Sequence, residues 1–250
     1  MKNKLFMLFS LLMFCLIPFQ SNAAEVKIIA LATDEWAPYY GSSLENDGFT
    51  GEIARAAFQR TGYDLKIDYV PWKRALVLGE QGKKYQGVFG LYYTDERNQK
   101  FIFSDTFAAS NITFFKRKGE DISYKTLKDI APYRVGVIRG YTNTKEFDTA
   151  TYITKDEAAD SVQNIQKLIA KRVDLIIDSS HVILHILNTK FPENVGNIEP
   201  VDPPLKTNDI YFMISRVVPE HKQIIEDFNK GLKMIKEDGT YDKILKKHGF

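Results

Sequence analysis

A single cysteine in 250 residues excludes most thiol chemistry. Cys15 lies inside an N-terminal apolar run, so the rest of the chain offers no disulfide, no thiolate metal site and no cysteine nucleophile. No later hydrophobic stretch approaches the roughly 20 residues that a membrane span requires. An excess of one charge is also missing, with 34 Lys and Arg against 32 Asp and Glu. Without Lys2 and Lys4 the two signs are equal in number. A nucleic-acid-binding protein carries a basic face, so that class is not expected. Internal repeats, low-complexity tracts and Gly/Ser linkers are absent. What remains is 44% hydrophobic and 26% charged, with a mean hydropathy of -0.27. That is the composition of a soluble globular chain, not of a disordered, collagen-like or multi-span one.

The N-terminus follows a different rule. Two lysines precede the apolar run Leu5–Phe19, which contains Pro18, and small residues follow at Ser21 and Ala23. This order predicts a secretory signal peptide over residues 1–23, cleaved on export, and a periplasmic location. Phe14 directly precedes Cys15, where a lipidated cysteine would follow a small residue, so no lipid anchor is expected. The chain beyond it is long enough for one large domain or two small lobes.

Apolar periodicity predicts strands at Lys27–Ala32, Leu65–Val70, Gly87–Leu91, Arg134–Ile138, Leu175–Ile177 and Ile210–Ser215. Helices are expected at Glu52–Thr61, Trp72–Gln81, Asp156–Lys171, Ser180–Asn188, Glu220–Glu237 and Tyr241–Lys247. In the Glu220 helix Ile224, Ile225, Phe228, Leu232 and Ile235 share a face, and Asp238-Gly239 ends it. Gly41–Gly48, Lys116–Ser123 and the Pro-rich Glu199–Leu205 read as punctuation. Alternating strands and helices define an α/β fold with mainly parallel sheets.

Several segments, in order, carry a resemblance. Ala32–Tyr39 reads ATDEWAPY after the first strand, and Gly87–Asp105 reads GVFGLYYTDERNQKFIFSD. RVGVIRGYT (Arg134–Thr142), KRVDLIID (Lys171–Asp178) and EDGTYDKILKKHG (Glu237–Gly249) follow. Together they resemble the extracytoplasmic solute-binding proteins of family 3, the type II periplasmic binding proteins of polar amino-acid ABC importers. The resemblance implies a two-lobed fold with two crossing segments. Residues 25–108 plus 218–250 would form the first lobe and residues 109–217 the second. It also implies hinge closure on a small ligand held beyond the carboxyl ends of the strands.

Candidate site residues follow from that pattern. The resemblance makes Arg97, the arginine of T-x-x-R, the bidentate partner of a ligand carboxylate, for which a planar, permanently charged guanidinium is suited. The alternative is an ion pair with Asp95, Glu96 or Asp105. Thr94 is placed to cap the following turn and to face the cleft. Gly140-Tyr141-Thr142 follows a strand and is read as opening a helix, whose N–H groups could hold an anion; the family usually carries Gly-Thr-Thr there, so Tyr141 is a departure. Trp36 and Tyr39 lie on the loop after the first strand, where the family covers the ligand with an aromatic ring. Trp72 and Arg74 begin the helix after the second strand; Arg74 there opposes the helix dipole and needs an anionic partner. Tyr92 replaces a small hydroxyl residue of the family pattern. The family's ammonium-binding aspartate falls at Ser179, with Asp178 one residue early and therefore on the opposite face of a regular strand. His181 and His185 have zinc spacing but no evident third ligand, so packing is the expectation.

The leading reading is a binding protein, not an enzyme, that passes a small ligand with an anionic group to an ABC permease in the inner membrane. No cofactor or metal is expected, and a monomer is the default. A free-standing periplasmic sensor would need a separate output partner, since the chain stops at Phe250. A dehydratase-like enzyme on the same fold would need an acid–base group such as Asp178 or Glu35.

Overall fold

Lys27–Thr33 (β1) buries Ile29 and Leu31 on one face and Ala32 on the other, so helices can cover it from both sides. The computed structural model describes residues 26–249. The predicted signal peptide, with Cys15, lies outside the described residues. After β1 come α1 (Gly48–Gln59), β2 (Tyr63–Tyr69), α2 (Trp72–Gln81), β3 (Gly87–Leu91), α3 (Asp95–Lys100), β4 (Phe101–Phe103) and β5 (Ala108–Arg117). Then follow β6 (Arg134–Ile138), α4 (Lys145–Thr149), β7 (Thr154–Ala158), α5 (Ser161–Ile169), β8 (Leu175–Ser179) and α6 (Ser180–Lys190). The chain closes with β9 (Ile198–Ser215), α7 (His221–Glu237) and α8 (Thr240–Lys247).

The strands pair in the order β2-β1-β3-β9-β5-β8-β6-β7, with β4 also on β9. Pairing is parallel at both ends, β1 with β2 and β3, and β6 with β7 and β8. It is antiparallel wherever β5 or β9 takes part, so the architecture is mixed and not mainly parallel. Two lobes result, joined by β5 and β9, and β9 runs from one lobe into the other. At 18 residues β9 is far longer than the strand expected at Ile210–Ser215. The prolines that suggested a break sit where its register against β5 shifts, between Val201 opposite Phe114 and Lys206 opposite Ile112. A bulge there needs no donor from Pro203 or Pro204. The beginning of the helix expected at Asp156–Lys171 is instead the edge strand β7, whose polar TKDEA sequence carries no apolar alternation.

The core of the first lobe packs α1 and α7 on the sheet. Phe58, Phe212 and Phe228 meet with ring centroids 4.5–5.4 Å apart. Gly231 lets the two helices touch: a Cβ there would lie 1.9 Å from the Ala57 carbonyl oxygen. In the second lobe Phe114 packs on Phe147 at 5.6 Å, surrounded by Ile130, Val135 and Ile177. No helix among the described residues is long and apolar enough to cross a membrane.

Candidate functional site

The carboxyl ends of β1, β3, β6 and β8 converge on the cleft between the lobes, and the loops that leave them carry the polar groups. Beyond β1 the chain alternates. Asp34 turns into a cavity, whereas Glu35 turns outward to accept hydrogen bonds from the Ser42 N–H and hydroxyl. Trp36 follows inside, stacked on Tyr39 at 4.5 Å and edge-on to Tyr92 at 5.9 Å. Beyond β3, Gly90 has φ +69 and carries no side chain, which lets the Tyr40 hydroxyl donate to its carbonyl at 2.7 Å. A Cβ on Gly90 would fall 2.1 Å from the Tyr40 ring.

Trp36, Trp72, Tyr92, Arg97, Tyr141 and Thr142 come together around one cavity of about 30 Å³, and sequence reasoning singled out all six. Asp34 and Tyr40 also line it and were not expected there. The cavity opens past Arg97 and Thr142 into a groove of about 810 Å³ running to Lys206. Thr94 lies along that groove and caps α3, accepting a hydrogen bond from the Arg97 N–H at 3.1 Å. Tyr39 lies behind Trp36 and does not line the cavity. Arg74 is exposed, outside both spaces. The Gly140-Tyr141-Thr142 segment does not open a helix; α4 starts later, at Lys145, capped by Thr144.

Arg97 forms no salt bridge among the described residues. Its guanidinium donates to the Tyr92 carbonyl at 2.8 Å and lies over the Trp72 ring, 5.6 Å from its centroid. Burial pushes its pKa down to about 10, against the pull of Glu96 and Asp148. The alternatives Asp95, Glu96 and Asp105 are therefore not its partners in a close pair.

Asp34 presents the opposite charge. Its Oδ2 accepts the Tyr141 hydroxyl at 2.7 Å, while Oδ1 is buried with no partner. Burial raises its pKa from 3.8 to about 7, more than the Tyr141 bond lowers it. Asp178 is buried too, with its pKa raised to about 6 by burial although Ser161 donates to it at 2.5 Å and the Ser179 N–H at 2.7 Å. Ser179 points elsewhere, donating to Tyr39 and accepting from Ser110 at 2.7 Å. Neither Asp178 nor Ser179 lines the cavity. Trp36 Nε1 and the Tyr92 hydroxyl approach Asp178 and Ser110 without a hydrogen bond of ordinary geometry.

Direct bonds hold the lobes together across this cleft: Tyr141 to Asp34, Trp72 Nε1 to the Gly140 carbonyl at 2.9 Å, and Tyr39 to His181 Nδ1 at 3.1 Å. His181 is thus engaged with Tyr39, and no group of three or more potential metal ligands occurs among the described residues.

Two α/β lobes joined by crossing strands, with a guanidinium and a carboxylate in the cleft between them, have the fold of the substrate-binding protein of an amino acid ABC transporter, matched with a TM-score of 0.73 at 20% identity over 88% of this chain and 98% of that one. The chain belongs to the bacterial extracellular solute-binding proteins, family 3, whose model matches residues 28–250. It is 25% identical over 230 residues to the ABC transporter arginine-binding protein 1 of Escherichia coli (strain K12), covering 90% of this chain and 91% of that one. It is 30% identical over 204 residues to a probable histidine-binding protein of Campylobacter jejuni subsp. jejuni serotype O:2 (strain ATCC 700819 / NCTC 11168), covering 80% of this chain and 76% of the other. In structure it resembles a histidine kinase sensor domain similar to periplasmic binding proteins, with a TM-score of 0.77 at 16% identity over 88% of this chain and 95% of that one.

Proposed function

We propose that this is a periplasmic solute-binding protein that captures a small amino-acid-type ligand between its lobes and delivers it to an ABC permease. One observation carries the reading: a guanidinium with no ion pair and a carboxylate oxygen with no donor among the described residues share one interlobe cavity. A zwitterion supplies what both lack, a carboxylate for Arg97 and a donor for Asp34 Oδ1. In this reading residues 25–108 with 218–250 form one lobe and residues 109–217 the other. Export through a cleaved signal peptide at residues 1–23, without lipid, and a monomeric state complete the reading.

An enzyme reading has its own support, because Asp34 lines the cavity as a buried carboxyl whose pKa is raised to about 7, in reach of a bound ligand. The experiment that separates the two is a thermal-shift and calorimetric screen of the exported form against amino acids and small carboxylates. A binding protein returns its ligand unchanged; a product in the mixture establishes the enzyme. Ligand at about 100 times its Kd adds roughly 2.7 kcal/mol of stability. Arg97→Ala should then weaken binding by roughly 2–5 kcal/mol, the range for removing one partner of a buried charge pair. Unchanged affinity would remove Arg97 from the site.

A further inference from the structure

Three side chains of the first lobe bond directly to the second. Asp34 Oδ2 accepts from the Tyr141 hydroxyl at 2.7 Å, Trp72 Nε1 donates to the Gly140 carbonyl at 2.9 Å, and the Tyr39 hydroxyl lies 3.1 Å from His181 Nδ1. The Tyr141 ring also meets Trp72 edge-on at 5.9 Å. Under these contacts Trp72 is 7% exposed and Trp36 4%. The same contacts fix how much space the lobes enclose. The cavity of about 30 Å³ has room for roughly two waters, less than glycine, the smallest amino acid, occupies. The wider groove beyond Arg97 is lined by neither Asp34 nor Trp72. A solute that reaches Asp34 therefore needs the lobes further apart than the three bonds permit. Bonds and solute are alternatives.

We propose that these bonds form a latch: they hold the lobes shut on each other, and a solute is captured only by molecules in which the latch has parted. Apparent affinity is then set by the cost of opening as well as by the contacts made, since only the open fraction binds. The inference rests on the reading above in one respect, that the solute reaches Asp34. The shut state itself is independent of which solute that is.

The chain has two tryptophans, Trp36 and Trp72, and both line the cavity, so their fluorescence reads the cleft directly. The test is acrylamide quenching of the exported form with no solute added. Shut lobes should keep the wild-type quenching constant several-fold below that of the urea-unfolded chain. Tyr141→Phe keeps the ring and removes the hydroxyl. Losing one hydrogen bond to a carboxylate should shift the balance toward the open form by roughly tenfold and about double the quenching constant. Tyr39→Phe should raise it as well. Tyr63→Phe, which loses a bond to Asp227 within the first lobe, should leave it unchanged. Quenching of the folded wild type as strong as that of an exposed indole would overturn the latch while leaving the amino-acid reading intact. Equal constants in the wild type and Tyr141→Phe would overturn it too, as would an equal rise in Tyr63→Phe. The amino-acid reading is decided separately, by the calorimetric screen. The wild-type constant tests the latch without any variant, so poor folding of Tyr141→Phe leaves it open to refutation.

Discussion

Asp34→Asn should make the protein more stable at pH 8 and flatten its dependence on pH. The Asp34 pKa rises from 3.8 to about 7 on folding, and burial is the main cause. A carboxyl whose pKa is higher in the folded chain contributes stability that is complete below pH 3.8 and is lost as pH rises through about 7. Between pH 8 and pH 5 the wild type should therefore regain roughly 2–3 kcal/mol from this group alone. For a chain of this size that is roughly 5–10 °C in Tm. The gain is full only while the lobes stay closed, because opening the cleft would hydrate the carboxylate. Asparagine has no charge to bury, and its amide oxygen still accepts from Tyr141. The assay is thermal unfolding of both proteins in matched ionic strength from pH 5 to pH 8. Asp178 titrates in the same direction, with a pKa near 6, and remains in the variant. Parallel Tm profiles would refute the reasoning, because they would mean that Asp34 is hydrated in the folded chain.

A cationic group on Asp34 Oδ1 favours the carboxylate, so binding at pH 7 should release a fraction of a proton. Calorimetry in two buffers of different ionisation enthalpy reads this, and the buffer dependence should vanish in Asp34→Asn. Ser161→Ala removes the hydroxyl that donates to Asp178 and should move the remaining acid-side transition of the Asp34→Asn background to higher pH; an unmoved midpoint would show that this bond does not govern Asp178. Gly231→Ala would press a methyl against the Ala57 carbonyl, where the contact is backbone on both sides. It should cost roughly 1–3 kcal/mol by overpacking, and an unchanged Tm would disprove the close approach of α1 and α7.

The ends of β3, β6 and α2 match their expected limits, the two strands because each is a short apolar run and α2 because Pro71 starts it and Gly82 ends it. β5 and most of β9 were not legible, since AASNITFFKR mixes polar and apolar positions and β9 contains three prolines. These strands take their form from each other, through long-range pairing that no local pattern encodes. The site shows the same division. Arg97 was legible because its motif has a fixed spacing. Asp34 was not, because Asp34 and Glu35 are adjacent acids of equal rank until the strand end turns one inward and the other toward Ser42. The sign available was position, since the first residue beyond the carboxyl end of a strand is favoured for ligand contact.

The contact of α1 with α7 has a consequence for the order in which the molecule can be made. Ile53, Ala54, Ala57 and Phe58 of α1 are fully buried, and Phe228 and Gly231 of α7 cover part of that face. About 170 residues of chain must emerge between the two helices before that cover exists. Until the last segment is synthesised, the first helix has no complete partner and the N-terminal half cannot close its core. A chain held open in this way through most of its synthesis stays threadable, a property that matters for any protein handed to a translocation channel before it folds.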